Sequence, residues 1–148
     1  MDQIDRRIIA AIQEDSRMTV SELSKLLSLS RPSTAERLTR LREKGVIEAY
    51  TARISLPAIG KEIMLIIQVA GLKVSIQEFE AMIQTDEAII ECHRVTGEVS
   101  YFLKAAVADM HAMTMLIDRL IPYGTINTST VLNSPVPFRI ITPAQKEK

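Results

Sequence analysis

TVSELSKLLSLSRPSTAERLTRLREKG occupies residues 19–45, and its punctuation decides how the chain is read. Thr19 is an N-cap, and Glu22, three positions on, completes a capping box. Val20, Leu23, Leu26 and Leu27 then recur at helical spacing and define an inward face. This short helix runs into Ser28-Leu29-Ser30. Ser30 caps a second helix whose first turn carries Pro32, where the missing N–H costs nothing, and Gly45 stops it. Two capped helices separated by so tight a turn have the spacing of a helix-turn-helix.

Upstream, Ile4, Ile8, Ile9 and Ile12 form one stripe of a further helix, which breaks at Asp15-Ser16-Arg17-Met18. On the helix after Ser30, Ser33, Arg37, Arg40 and Lys44 share a narrow stripe, whereas Thr34, Leu38 and Leu41 share an apolar one. Between Arg31 and Lys44 there are five basic residues and two acidic ones, a net +3, although residues 1–50 together carry only +1. The helix is therefore expected to present a basic outer face. Such a face suits double-stranded DNA: cations release counterions from phosphates, and side chains at the helix N-terminus reach base edges. The expected contacts are Thr19, Ser30, Arg31, Ser33, Thr34, Arg37, Arg40 and Lys44. Arg37, Arg40 and Lys44 can hold phosphates or a guanine edge, and spacing alone does not divide those roles.

Beyond Gly45 the residues change character. Val46 to Ile54 is rich in β-branched residues and suits a strand or wing, and Pro57 and Gly60 mark a boundary. Strands are expected at Ile63–Leu72, Ala88–Val95, Val99–Val107 and Ile126–Leu132, with helices at Ile76–Gln84 and from Asp109 to near Pro122. That order, βαββαβ, is the split ferredoxin-like arrangement. Pro135 and Pro137 interrupt the run to Ile141, leaving an edge strand or extended arm. The fold class is thus α+β, an N-terminal winged helix-turn-helix followed by a ferredoxin-like domain. Its divisions are residues 1–50, a linker at 51–61, a second domain at 62–142 and a tail at 143–148.

In composition, 47% of the 148 residues are hydrophobic and 24% charged, enough apolar material for cores. Net charge is zero, so the case for a DNA partner rests on local arrangement alone. The single cysteine, Cys92, cannot form an internal disulfide and is expected in a strand. The longest apolar run, near Ile63–Ile67, is far too short to span a membrane, and a cytoplasmic protein is expected.

The stretches Asp2–Ile9, Asp15–Arg17, Glu22-Leu23, Leu29-Ser30, Arg37–Leu41 and Gly45–Ile47 resemble the amino-terminal signature of Lrp/AsnC-type transcription regulators. The resemblance continues through Gly60, Val95–Gly97, Tyr101 and Thr128–Leu132. It implies a winged helix-turn-helix joined to a ligand-sensing and oligomerisation domain, dimers as the unit, and often octameric rings of four dimers. It also implies an amino-acid effector near Gly97, Glu98, Ser100, Tyr101 and Thr128. Two departures stand out. Ser24 and Ser28 replace the family's usual alanine and glycine at the helix-turn-helix corner, which predicts a slightly altered turn. Ser100 stands where the family has an aspartate, removing a partner for a ligand ammonium group. Glu98 offers a substitute charge or is simply a solvated turn residue; Tyr101 and Thr128 line the pocket or merely alternate along a sheet.

No catalytic residue, cofactor or metal is expected. His93 and His111 lack further ligands at a recognised spacing, and Met110, Met113 and Met115 with Leu116 and Leu120 read as a packing face. Two alternatives stand beside this reading: a tetrapyrrole-processing enzyme on the same scaffold, using His93 or His111, and an architectural protein that bends DNA with little sequence preference.

Overall fold

The computed structural model describes residues 1–144. The chain divides into two compact units, Met1–Arg53 with the residues from Val136 onward, and Ile54–Pro135.

In the first unit, α1 (Gln3–Glu14), α2 (Val20–Leu27) and α3 (Arg31–Glu43) enclose Ile8, Ile9, Ala11, Leu23, Leu27, Leu41 and Ile47. Burying each large aliphatic side chain contributes about 1.5–3 kcal/mol, which makes this small cluster the main support of the unit. Side chains satisfy the helix N–H groups that have no intrahelical partner. Asp2 and Asp5 cap α1 reciprocally, Thr19 and Glu22 do the same for α2, and the Ser30 hydroxyl accepts from Ser33 N at the start of α3.

Between α2 and α3 the chain reverses through Ser28, whose φ of 56° lies in the left-handed region, as no other non-glycine residue among those described does. The turn requires it. Leu29 N donates to Ser24 O at 2.9 Å, closing α2, while the Leu29 side chain packs back on the core. Ser24 is buried there, its hydroxyl donating to Ser21 O, so a serine fits the corner without an unpaired polar atom.

One expectation for this unit is corrected. Val46–Ile54 forms no strand, so the wing is absent as regular structure among the described residues. A lone extended segment leaves its backbone groups unpaired unless another strand lies beside it. Residues 136–144, which follow the second unit in sequence, make their contacts with the helices. The Gln13 carboxamide donates to Ile141 O at 2.9 Å and accepts from Ile141 N at 3.0 Å, imitating a strand partner. Arg53 lies over the Phe138 ring, 4.5 Å from its centroid, and Arg6 donates to Ala144 O.

The second unit is a four-stranded antiparallel sheet in the order β2-β3-β1-β4, built from β1 (Ile63–Ala70), β2 (Ile89–Arg94), β3 (Val99–Val107) and β4 (Thr125–Thr130). With α4 (Ile76–Thr85) and α5 (Met110–Leu120) it completes the expected βαββαβ order. Leu65, Ile67 and Val69 of β1 and Tyr101, Leu103, Ala105 and Val107 of β3 share the core with Phe79, Ile83, Leu116 and Leu120 from the helices. Strand alternation sends Met64, Ile66, Phe102, Lys104 and Ala106 to the opposite face. Gly124 is needed before β4: a Cβ there would stand 2.7 Å from Ala70 O, closer than contact permits.

Because an L-residue in the left-handed region costs about 1–2 kcal/mol, part of which glycine's larger unfolded-state entropy cancels, Ser28→Gly is expected to raise stability by roughly 0.5–1 kcal/mol. Urea unfolding followed by circular dichroism measures it.

Candidate nucleic-acid interface

The direction in which α3 faces follows from what it buries. At about 100° per residue, Thr34, Leu38 and Leu41 mark the inward side, with Thr34 fully buried and Leu41 nearly so. Directly opposite stand Pro32, Glu36, Thr39 and Glu43, all exposed. Arg31 and Arg42 lie on one flank of this line; Ser33, Arg40 and Lys44 lie on the other. Arg37 falls between that second flank and the core.

Arg37 is accordingly half-buried and committed to the protein. Its Nη1 lies 2.6 Å from Asp2 Oδ2 and 2.8 Å from Asp5 Oδ1, and Arg40 Nη2 reaches the same Asp5 oxygen at 3.2 Å. Asp5 is a carboxylate with a side chain only 6% exposed, so these guanidinium bonds are what make its burial tolerable. The N-cap bond from Asp5 N, then the Arg37 guanidinium, hold the Asp2 carboxyl below its usual range, and the two carboxylates push the Arg37 pKa up.

The expected outward ridge of Ser33, Arg37, Arg40 and Lys44 is therefore corrected. It is a flank, and Arg37 is turned inward to fasten α3 onto α1. Thr34 is also removed from the DNA-facing set: it has no exposed surface, and its hydroxyl donates to Ser30 O at 3.0 Å. Thr19 and Ser30 are exposed, but their hydroxyls serve as caps, the Thr19 oxygen accepting from Glu22 N and donating to Glu22 Oε2 at 2.7 Å. Arg31 and Lys44 are exposed at opposite ends of α3, Ser33 is half-buried, and the Arg40 side chain is 42% exposed. The central line of Pro32, Glu36 and Thr39 escaped the sequence reading. Its signal was available as the direction opposite the apolar stripe, rather than the direction richest in charge. No acidic residue occupies the first turn of α3, so its helix dipole meets solvent without a counter-charge.

The residues expected around an effector do not converge within one chain. Gly97 and Glu98 are exposed in the β2–β3 hairpin. Ser100 faces the open side of the sheet, whereas Tyr101 and Thr128 face the helices, on strands separated by β1. Tyr101 is a core residue, packed against Phe79 with ring centroids 4.8 Å apart and the rings tilted by 47°, and donating to Glu80 Oε1 at 2.7 Å. Burial, reinforced by that bond, pushes its pKa up to about 12. A separate cleft of about 520 Å³ is bounded by Met82, Tyr123 and the Arg119–Asp86 pair. His93 shares the open face with Phe102, while His111 is on α5 across the sheet.

Known proteins match both units. A winged helix-turn-helix DNA-binding family model covers residues 1–48, and the Lrp/AsnC ligand binding domain covers residues 63–141. The regulator LrpC of Bacillus subtilis is 30% identical over 133 residues, spanning 90% of this chain and 92% of LrpC. The chain belongs to the Lrp/AsnC family of transcriptional regulators.

The leucine-responsive regulatory protein of Salmonella typhimurium is 35% identical over 120 residues, 79% of this chain and 73% of that protein. Among solved structures, B. subtilis LrpC superposes with a TM-score of 0.89 at 29% identity, covering 93% of this chain and 99% of LrpC. A Neisseria meningitidis transcriptional regulator, solved as a complex with L-Met, also gives 0.89, at 26% identity over 95% of this chain and 96% of that one. This Lrp/AsnC chain is a helix-turn-helix transcriptional regulator with a ligand-binding domain of the family type.

In this Lrp/AsnC helix-turn-helix, two carboxylates titrate below their ordinary values. Asp2 does so through its cap and Arg37, and Glu22 through hydrogen bonds from the Thr19 hydroxyl and backbone. A depressed folded pKa gives stability that is complete above the ordinary value, 3.8 for Asp2 and 4.5 for Glu22, and is lost as pH falls through the folded one. Asp2→Asn with Glu22→Gln is expected to flatten the fall in stability below that range. Urea midpoints measured from pH 6 down to about 3 test this, and parallel profiles for both proteins would contradict it.

Proposed function

We propose that this regulator binds double-stranded DNA as a homodimer, laying each α3 in a major groove with the two copies about one duplex turn apart. The observation that carries the proposal is the arrangement of α3: a central exposed line with cations on both sides. A helix lying in a groove about 12 Å wide sends its two flanks toward the two phosphate walls and its centre toward the base edges. Arg31 and Arg42 serve one wall; Arg40 and Lys44 serve the other. The uncountered N-terminus of α3 adds a favourable site for a phosphate. Arg37 acts indirectly, by holding the helix at its angle.

Two observations support a homodimer. The open face of the sheet carries half-buried Met64 and Ile66 and a partly exposed Phe102, an apolar patch bordered by Ser100, Lys104 and His93 with no helix over it in its own unit. The β-prone stretch from Val46 to Ile54, meanwhile, finds no strand partner among the described residues. A second copy answers both needs. Doubling the reading head also turns the second DNA contact into an effectively intramolecular event. Assembly beyond the dimer, up to an octamer, is the family pattern we extend to this chain.

An amino-acid effector is proposed by analogy with the N. meningitidis complex. Since Ser100 and Tyr101 point to opposite faces, such a ligand would be enclosed where hairpin residues of more than one copy meet. We read the chain as a regulator rather than an enzyme, because His93 and His111 lie on opposite faces of the sheet. Cytoplasmic action accords with the fact that no helix among the described residues is long and apolar enough to cross a membrane.

Binding of the full chain to duplex DNA over a salt series tests the interface. Arg31→Ala and Lys44→Ala are each expected to weaken binding across sequences and to reduce the slope of log Kd against log salt by about 1. Unchanged slopes in both variants would overturn the groove assignment. An amino-acid mixture should shift the binding midpoint, and no shift would remove the effector from the reading.

A further inference from the structure

Glu36 is an anomaly if α3 lies in a groove. It stands one turn into the helix, on the exposed line opposite Thr34 and Leu41, and it takes part in none of the ion pairs formed by the described residues. A free carboxylate placed between two rows of phosphates is repelled by both, and it loses water as the groove closes over it. Only a hydrogen-bond donor on a base edge offsets that cost.

The major groove offers two such donors, the N6 amino group of adenine and the N4 amino group of cytosine. They are not equivalent to a carboxylate. Adenine N6 sits between two acceptors, its own N7 and the O4 of the paired thymine. Cytosine N4 has an acceptor on one side only, the O6 of guanine, and beside it on the other a C–H edge. An acceptor-only side chain is therefore repelled less at a C·G pair. Resting on the reading of α3 as the groove-entering helix, we propose that Glu36 is a specificity-determining residue, accepting a hydrogen bond from cytosine N4 at one position of each half-site. Glu43, on the same exposed line, lies in the last turn, whereas base contacts come from the N-terminal part of a recognition helix.

Selection from a random duplex pool with the full-length protein, its Glu36→Gln variant and its Glu36→Ala variant tests the assignment. Glu36 is exposed and free of ion pairs, so neither substitution endangers the fold, and circular dichroism checks that. The unaltered protein should enrich a motif with one C·G position per half-site, preferred about tenfold over the other bases. Glutamine, which pairs with adenine through N6 and N7, should move that single position toward A·T; alanine should erase its preference, with the remaining positions and the salt slope kept. Identical motifs from all three proteins would overturn the role of Glu36 while leaving the groove reading standing. Failure of the unaltered protein to enrich any motif would instead defeat sequence-specific reading itself, and the assignment with it.

Discussion

The bond between the Arg37 guanidinium and the buried Asp5 carboxylate, shared with Asp2 and Arg40, is the contact on which the orientation of α3 depends. α3 contributes few large apolar groups to the core, chiefly Leu41 and part of Leu38, so packing alone would leave its rotation about its own axis loosely fixed. An ion pair with a nearly buried partner fixes it. The charge that composition marks as the most available for DNA is thereby spent on geometry, and Asp2 and Asp5 cap α1 with the same carboxylates that receive the arginines.

From that anchoring the proposed DNA-binding surface follows. Once Arg37 faces α1, Pro32, Glu36 and Thr39 must face away from the core, and the remaining cations are divided between two flanks. A ridge of positive charge along the centre of the helix would have bound phosphate without discriminating between sequences. A polar centre between cationic edges separates positioning from reading, which is the division that sequence-specific binding needs. The second unit contributes differently. Its sheet uses one face for α4 and α5 and leaves the other without a helix, the face on which the proposed homodimer would form.

Much of this was legible in the sequence because it is local. Thr19 with Glu22, Ser30 with Ser33, and Asp109 with Ala112 are caps, satisfied by neighbours three residues away, and each helix begins where they predict. The order of strands and helices along the chain came from the periodicity of apolar residues, also a short-range property. What was missed is long-range. Arg37 meets carboxylates 35 and 32 positions earlier, and Ile141 finds the Gln13 amide 128 positions away, so neither partner is visible in a window of helical or strand length. Thr34 lies both on the apolar stripe and near the N-terminus of α3, and its burial decides for the stripe. Ser100 and Tyr101 are a different case. Adjacent residues in a strand face opposite ways, and that alone forbids them from lining one pocket within a chain.

The account stands on Arg37 remaining with Asp5 when DNA is bound. A crystal structure of the full chain on its selected duplex measures this directly. Arg37 Nη1 is predicted to stay within about 3.5 Å of Asp5, with the Glu36 side of α3 against the base edges. An Arg37 guanidinium swung out to a phosphate, with Asp5 left to Arg40 or to water, would contradict it.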